Sequence, residues 1–236
     1  MSPKHEAAKK KAAYTAVQHV RDGFVVGLGS GSTAAYAIEA LGKKIEREHL
    51  SILGVPTSYQ AFLLAVQHGI AVTTLEEHPV LDLDIDGADQ IDADLNLIKG
   101  MGAALAREKI AASASKQCII VADMGKKVKA LGENGQAVPV EVLPFAISLV
   151  KRRIEAAGGN PILREGKGKV GPVITDNGNV IVDANFGVIA DVAKLEQKLK
   201  MIPGVVETGL FVGLADIAYV GTASAVETIK RKKGRH

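Results

Sequence analysis

Apolar and polar positions change rhythm along this chain of 236 residues. In the first half, short β-branched runs alternate with segments of helical character. "FVVGLG" (24–29) predicts a strand, and Ser32 to about Glu46 a helix. "SILGV" (51–55) predicts a second strand, followed by a helix over roughly 58–68. "IAVTTL" (70–75) and "VLDLDID" (80–86) predict further strands. "NLIKG" ends in a glycine turn before the helix "ALAREKIAASAS", and "CIIVAD" is again a strand. Near-continuous apolar strands alternating with helices predict a parallel sheet covered on both faces, an α/β fold.

After "ALGENGQAVPVEVLPFA" the rhythm differs. A helix over about 145–157 precedes "PILRE" and "GPVITDNGNVIVDANF", where "TDNGN" predicts an Asx-Gly turn joining two alternating strands. A helix over about 191–200 ends at "IPG", before "VVETGLF". This β-α-β-β-α-β order fits a small antiparallel sheet with helices on one side. "ADIAYVGTA" predicts a buried strand returning to the first sheet. The expected division is therefore 1–135 plus 208–236 for the larger domain and 136–207 for an inserted α+β domain.

Composition removes several function classes. Hydrophobic residues make up 47%, too many for a disordered chain, yet no apolar run reaches the roughly 18 residues of a membrane helix. The formal charge of +3 comes from the last seven residues, "KRKKGRH", which hold five of the 29 cations and no acid. Without them, 24 cations face 26 acids, so no basic face is spread along the chain. Aromatic residues are 4% and Trp is absent, which argues against nucleic-acid binding, and the basic end reads as a solvated tail. The N-terminus lacks a signal peptide's apolar centre, and the one cysteine, Cys118, reads as a buried thiol in a reducing compartment. Cytoplasm is the expected location.

Three clusters carry candidate chemistry. Gly29 to Ala34, "GSGSTA", satisfies the dinucleotide fingerprint, but the second strand ends in "GVPTS" with no acid for a ribose. No Gly-Lys-Ser/Thr follows for a nucleoside triphosphate either. Ser30, Gly31, Ser32 and Thr33 remain as a glycine-flanked helix N-terminus suited to one phosphate or sugar, unless the hydroxyls merely cap the helix. The second cluster, "DLDIDGADQIDADLN", opens like a calcium loop but has Ala93 where the bidentate Glu is required. Asp86 and Asp89 then fall at the carboxyl end of a parallel strand, where such sheets bind ligands; Asp82 and Asp84 read as structural, Asp92 and Asp94 as loop acids or caps. In the third, "LIKGMGAALAREKI", Lys99 ends a strand, Gly100 and Gly102 shape a turn, and Glu108 follows on the helix. A helix turns about 100° per residue, so Arg107, Glu108 and Lys109 cannot all face one cleft. Taken alone, this charged run reads as a solvated face; Lys99 and Asp86 ending neighbouring strands would change that.

Together "GSGSTA", "DGADQID", "KGMGAALAREKI" and "PVEVLPFA", with "TDNGNVI" and "IPGVVETGLF" beyond, resemble ribose-5-phosphate isomerases of the A type over essentially the whole chain. The resemblance implies a Rossmann-like parallel-sheet domain with an inserted ferredoxin-like lid. It also implies interconversion of D-ribose 5-phosphate and D-ribulose 5-phosphate through a cis-enediolate. By the same resemblance, Ser30 to Thr33 bind substrate, as do Asp86, Gly87, Ala88 and Asp89, then Lys99, Gly100, Met101 and Gly102, and Lys126. Glu108 falls on the general base, Lys99 on the stabiliser of the enediolate, and Asp86 and Asp89 on groups that bind hydroxyls and open the ring. Lys9 matches a lysine that approaches the phosphate.

Three departures from the family pattern are Ser30 for Thr, Gln90 for Glu, and Met101 in a turn that is often all glycine. No cofactor is expected, since the hydrogen returns to the same molecule as a proton. No metal is expected, because the six histidines show no ligand spacing. The family implies a homodimer or homotetramer. The rival readings are an NAD(P)-dependent dehydrogenase using the same glycine turn, and a non-catalytic sugar-phosphate sensor.

Overall fold

The computed structural model describes residues 3–168, 170–222 and 224–231. Two compact units are present: Met1–Ala88, Arg107–Lys127 and Leu214–His236 form the first; Asp89–Ala106 and Val128–Gly213 form the second. The expected insertion, 136–207, lies inside the second unit, which also takes in 89–106, 128–135 and 208–213.

In the first unit, strands β1 (Val25–Leu28), β2 (Leu53–Pro56), β3 (Ala71–Val72), β4 (Leu83–Gly87) and β7 (Cys118–Asp123) are joined by β13 (Ile217–Gly221) and β14 (Val226–Lys230). They form one sheet in the order β14-β13-β7-β4-β1-β2-β3, parallel except for β14. Helices α1 (Pro3–Val17), α2 (Ser32–Glu48) and α3 (Tyr59–Gln67) bury alanines and Ile38 and Leu41 against Val26, Leu28, Leu83 and Ile85. Helix α4 (Leu105–Ala114) packs Ala111 with Val25, Val55 and Leu81. Because strand side chains alternate faces, Asp84 and Asp86 share the α4 face while Leu83 and Ile85 share the other. Each buried Leu or Ile contributes about 1.5–3 kcal/mol, which fixes the register of β4 against a one-residue slip.

Gly27 of β1 and Gly29 just beyond it serve this arrangement directly. A Cβ at Gly27 would lie 2.4 Å from Asp84 Oδ1, and one at Gly29 2.1 Å from Asp86 Oδ1. Two glycines thus make room for two aspartates of the neighbouring strand. At the far end, the ammonium of buried Lys44 donates to the carbonyls of Val17, Gln18 and Val20, satisfying the open C-terminus of α1.

In the second unit, β8 (Val138–Val142), α5 (Ile147–Ala156), β9 (Asn160–Leu163), β10 (Val180–Asn185), α6 (Val192–Lys200) and β11 (Val205–Thr208) give the expected β-α-β-β-α-β succession. The sheet order β11-β8-β10-β9, with every neighbouring pair antiparallel, is the ferredoxin-like arrangement. Val138, Val140, Val142, Val180 and Val182 turn inward against Val150, Ile154 and Leu199 of the helices. A smaller sheet, β12-β6-β5, is formed by β5 (Gln90–Ile91), β6 (Leu97–Ile98) and β12 (Leu210–Phe211).

Several expectations need correction. The segment before "TDNGN" is no full strand; it pairs through the isolated bridges Ile174–Val180 and Glu165–Pro172, with the Val173 N–H donating to the Arg164 carbonyl. The cause is the fully buried Glu141, whose Oε1 accepts hydrogen bonds from Thr175 Oγ1, Asn177 Nδ2 and Asn179 Nδ2 and binds the turn to β8. β3 is only Ala71–Val72; the Thr73 N–H still donates to the Gly54 carbonyl, and beyond it the Thr73 hydroxyl bonds Glu77 while Thr74 Oγ1 accepts the Glu77 N–H. β6 belongs to the small sheet, and the neighbours of β4 are β1 and β7, so Lys99 and Asp86 do not end adjacent strands. β14 was not anticipated; it takes Lys230 from the basic end into the sheet, while 232–236 lie outside the described residues. Among the described residues, no helix is long and apolar enough to cross a membrane.

Candidate active site

The candidate residues fall in both units. Ser30 to Thr33, Asp86 to Ala88, Glu108 and Lys126 belong to the first; Asp89 and Lys99 to Gly102 belong to the second.

At the carboxyl end of β1 the chain turns sharply into α2, with Gly31 at φ +96° in the left-handed region that favours glycine. The Ser30 N–H donates to Asp86 Oδ1 at 3.0 Å, and the same oxygen accepts the Gly87 N–H at 2.6 Å. Asp86 is 1% exposed, so these bonds offset part of the cost of burying its charge. The group seated against the glycine turn is therefore the chain's own Asp86 side chain. The hydroxyls do not cap α2, whose cap residue is Gly31 itself. Ser30 Oγ pairs with Thr57 Oγ1 (2.8 Å) and Ser58 Oγ (2.6 Å), and the Gly31 N–H donates to Gln60 Oε1. Ser32 Oγ accepts a 2.9 Å bond from the Lys9 ammonium. Lys9, only 7% exposed on α1, thus joins a helix N-terminus that already favours anions.

The charged run on α4 is not a solvated face. Glu108, in the first turn, is 5% exposed and Lys109 is also buried, while the Arg107 guanidinium lies 5.9 Å from the centre of the Tyr59 ring. A buried acid on the helix covering the Asp86 face marks a functional position better than the sequence run did. Lys126 ends a short 3₁₀ turn after β7, whose first amides are held by Asp123 Oδ1 through the Gly125 N–H. Asp82, by contrast, is structural: it accepts the Val25 N–H and pairs with Lys116, whose hydrogen bond holds its carboxyl below the ordinary value. The Asp84 carboxylate, fully buried, accepts from Cys118 Sγ at 3.5 Å.

In the second unit, Asp89 Oδ2 accepts the Met101 N–H at 3.0 Å, linking the aspartate loop to the glycine turn. Lys99 is 3% exposed, with its ammonium 5.3 Å from the centre of the Phe211 ring and its N–H bonded to the Gly209 carbonyl. Gly100 has φ +107°, and a Cβ there would press on Leu105 and Pro139. Met101 is half exposed, its sulfur against Gln136 Nε2 and Arg164 Nη2. Gln90 explains its own departure from the family pattern. Its Oε1 accepts the Gly132 N–H and its Nε2 donates to the Glu133 carbonyl, two bonds that need an amide. Asp92 organises its loop by accepting from the amides of Asp94 and Asn96. Sequence reasoning missed Thr57, Ser58, Gln60 and Arg164. The first two stand in the very "GVPTS" segment read only for its missing acid.

A family model for Ribose 5-phosphate isomerase A (phosphoriboisomerase A) matches residues 53–225. The chain belongs to the ribose 5-phosphate isomerase A family. Among similar proteins, the ribose-5-phosphate isomerase A of Methanothermobacter thermautotrophicus is 49% identical over 222 residues, covering 94% of this chain and 97% of that one. The Homo sapiens ribose-5-phosphate isomerase is 43% identical over 232 residues, 97% of this chain and 75% of that one. The solved structure of a D-ribose-5-phosphate isomerase in complex with phospho-erythronic acid is 45% identical, with a TM-score of 0.93 over 98% of this chain and 100% of that one. The Methanocaldococcus jannaschii ribose 5-phosphate isomerase A structure gives 44% and 0.91 over 95% and 99%. In this ribose 5-phosphate isomerase A family member, the shared α/β fold thus extends through both units.

Proposed function

We propose that the chain interconverts D-ribose 5-phosphate and D-ribulose 5-phosphate, with Glu108 as the base. The observation that carries the assignment is Glu108 buried on α4, the helix that covers the sheet face bearing Asp86. In the aldose-to-ketose direction, Glu108 takes the proton from C2. The released electron pair forms the C1=C2 bond, and the C1 carbonyl oxygen becomes the enediolate oxygen. The O2 proton then passes to O1, C2=O forms, and the C1=C2 electron pair takes the proton back from Glu108 at C1, which completes the exchange. The Lys99 ammonium stabilises the developing negative charge, an effect typically worth about 3–4 kcal/mol. Asp86 and Asp89 bind sugar hydroxyls and assist ring opening, and Asp86 moves the proton between the two oxygens.

The phosphate is held by the Ser30–Thr33 turn, with Lys9 and Lys126 as cations. The Lys9–Ser32 bond supports this, since it brings an ammonium to the helix N-terminus. Remote binding energy then serves to orient C1 and C2. The enzyme works in the cytoplasm as a homodimer or homotetramer, and a second copy would cover the apolar face of α3, where Tyr59, Phe62, Leu63 and Val66 are exposed.

The test is conversion of ribose 5-phosphate to the ketose with EDTA present, in the parent chain and in Glu108→Gln. The expected result is turnover in the parent and a loss of several orders of magnitude in kcat in the variant, with substrate still bound. Near-normal turnover in Glu108→Gln would refute the base assignment.

A further inference from the structure

Arg164 stands one residue beyond β9, and its guanidinium is shared between the sheet and the turn that follows Lys99. Nε and Nη2 hold the two carboxylate oxygens of Asp183 on β10 at 2.8 and 2.5 Å, a planar two-bond grip that lysine cannot make. Nη1 donates to the carbonyls of Gly100 (2.8 Å) and Met101 (3.1 Å). The side chains are 12% and 22% exposed, so the pair is shielded from water. On the opposite side of the turn, the Met101 N–H is held by Asp89. The 100–101 peptide is therefore fixed at both ends. In the 101–102 peptide, Arg164 holds the oxygen, and since C=O and N–H of a trans peptide point in opposite directions, the Gly102 N–H is directed away from the guanidinium.

We propose that Arg164 is a positioning residue for the isomerase: clamped to Asp183, it holds the Gly100 and Met101 carbonyls so that the Lys99 ammonium and the Gly102 N–H meet the sugar phosphate in one fixed orientation. The proposal rests on the role given above to the 99–102 turn. Arg164 touches no reacting atom. A turn containing Gly100 at positive φ and an exposed Gly102 has many alternative conformations, and the guanidinium selects one. Orientation matters most as charge develops, so its loss falls on kcat more than on KM.

The experiment compares Arg164→Ala, Arg164→Lys and the near-isosteric Asp183→Asn. The readouts are kcat, KM, thermal melting, and backbone hydrogen exchange in 99–104 against β7. In Arg164→Ala, kcat should fall about 10- to 100-fold with KM little changed, exchange in 99–104 should quicken, and exchange in β7 should not. Methylguanidinium added to the assay should restore part of the rate. Arg164→Lys should resemble Arg164→Ala, and Asp183→Asn should fall between it and the parent. Full activity in Arg164→Ala or Arg164→Lys, unchanged exchange in 99–104, or a rate loss that merely follows global melting would overturn the proposal. A parent chain that fails to isomerise ribose 5-phosphate would defeat the functional reading, while the exchange data would still decide whether Arg164 fixes the turn.

Discussion

Replacing Gly29 with alanine puts a methyl group where two strands leave no space for it. The new Cβ would lie 2.1 Å from Asp86 Oδ1 and 2.5 Å from Asp86 Cα. The carboxylate can swing aside, but the Cα belongs to central strand β4, so backbone must move. Ordinary van der Waals contact begins at 3.4 Å, which requires β1 and β4 to part by about 1 Å in a close-packed interior. Overpacking of this kind costs about 1–3 kcal/mol, or roughly 2–12 °C in melting temperature for a chain of this length. The same movement pulls the Ser30 N–H from Asp86 and displaces the turn from its substrate position. A displacement of 1 Å at a reacting centre costs on the order of 100-fold in rate. Circular dichroism melting and a ribose 5-phosphate turnover assay on Gly29→Ala measure both effects. Parent-like melting together with parent-like kcat would show that the glycine is not needed to seat Asp86.

Lys99→Ala should lower kcat far more than it raises KM in the same turnover assay; a rise in KM alone would make Lys99 a binding residue. Lys44→Met should destabilise the first unit by about 1.5–3 kcal/mol, measured by urea denaturation, because three carbonyls at the end of α1 lose a charged donor. The carboxyl of Asp82 is held below its ordinary value, first by the Lys116 hydrogen bond and then by the Val25 N–H. Its stabilising contribution is therefore complete above the ordinary carboxylate range and is lost as pH falls through the lowered value. The pair is accessible, so the contribution stays below about 1 kcal/mol, and melting of Asp82→Asn and the parent should converge below about pH 4. Under the proposed dimer or tetramer with α3 covered by a second copy, Leu63→Glu should give smaller species than the parent in light scattering, since it charges the exposed face of α3; equal size in both would remove α3 from that interface.

Much of the first unit was legible because its strands are buried on both faces and read as short apolar runs between helices, as "CIIVAD" does for β7. The succession of elements in the second unit was legible for a similar reason, from the alternating valines of β8 and β10. What failed was the pairing of polar groups distant in sequence. "TDNGN" marks a turn correctly, but nothing local says that Glu141 will draw its side chains onto β8, or that the preceding arm will pair only through isolated bridges. In the same way, Arg107-Glu108-Lys109 looks solvated until the helix is packed, and burial of Glu108 and Lys109 is a property of the sheet beneath. The glycines of "GLGSGS" were legible as a close approach; that Asp84 and Asp86 are what approaches Gly27 and Gly29 becomes visible only in the β1–β4 register. Arg164 left no local signal, because its side-chain bonds reach Asp183 on β10 and a turn more than sixty positions away.

The first unit joins segments that lie far apart in the sequence. β13 lies beside β7, and α1 packs on both, with the backbone of Ala8 directly against Gly221. During synthesis, the opening helix therefore emerges long before the strand it must rest on, and it waits while β8 to β12 are made. Every segment of the second unit leaves the ribosome before the first can close, so pairings between distant stretches set the pace of maturation. A chain cut short after Gly213 would carry all of the second unit and lack the strand that α1 and β7 share, leaving α1 without its seat.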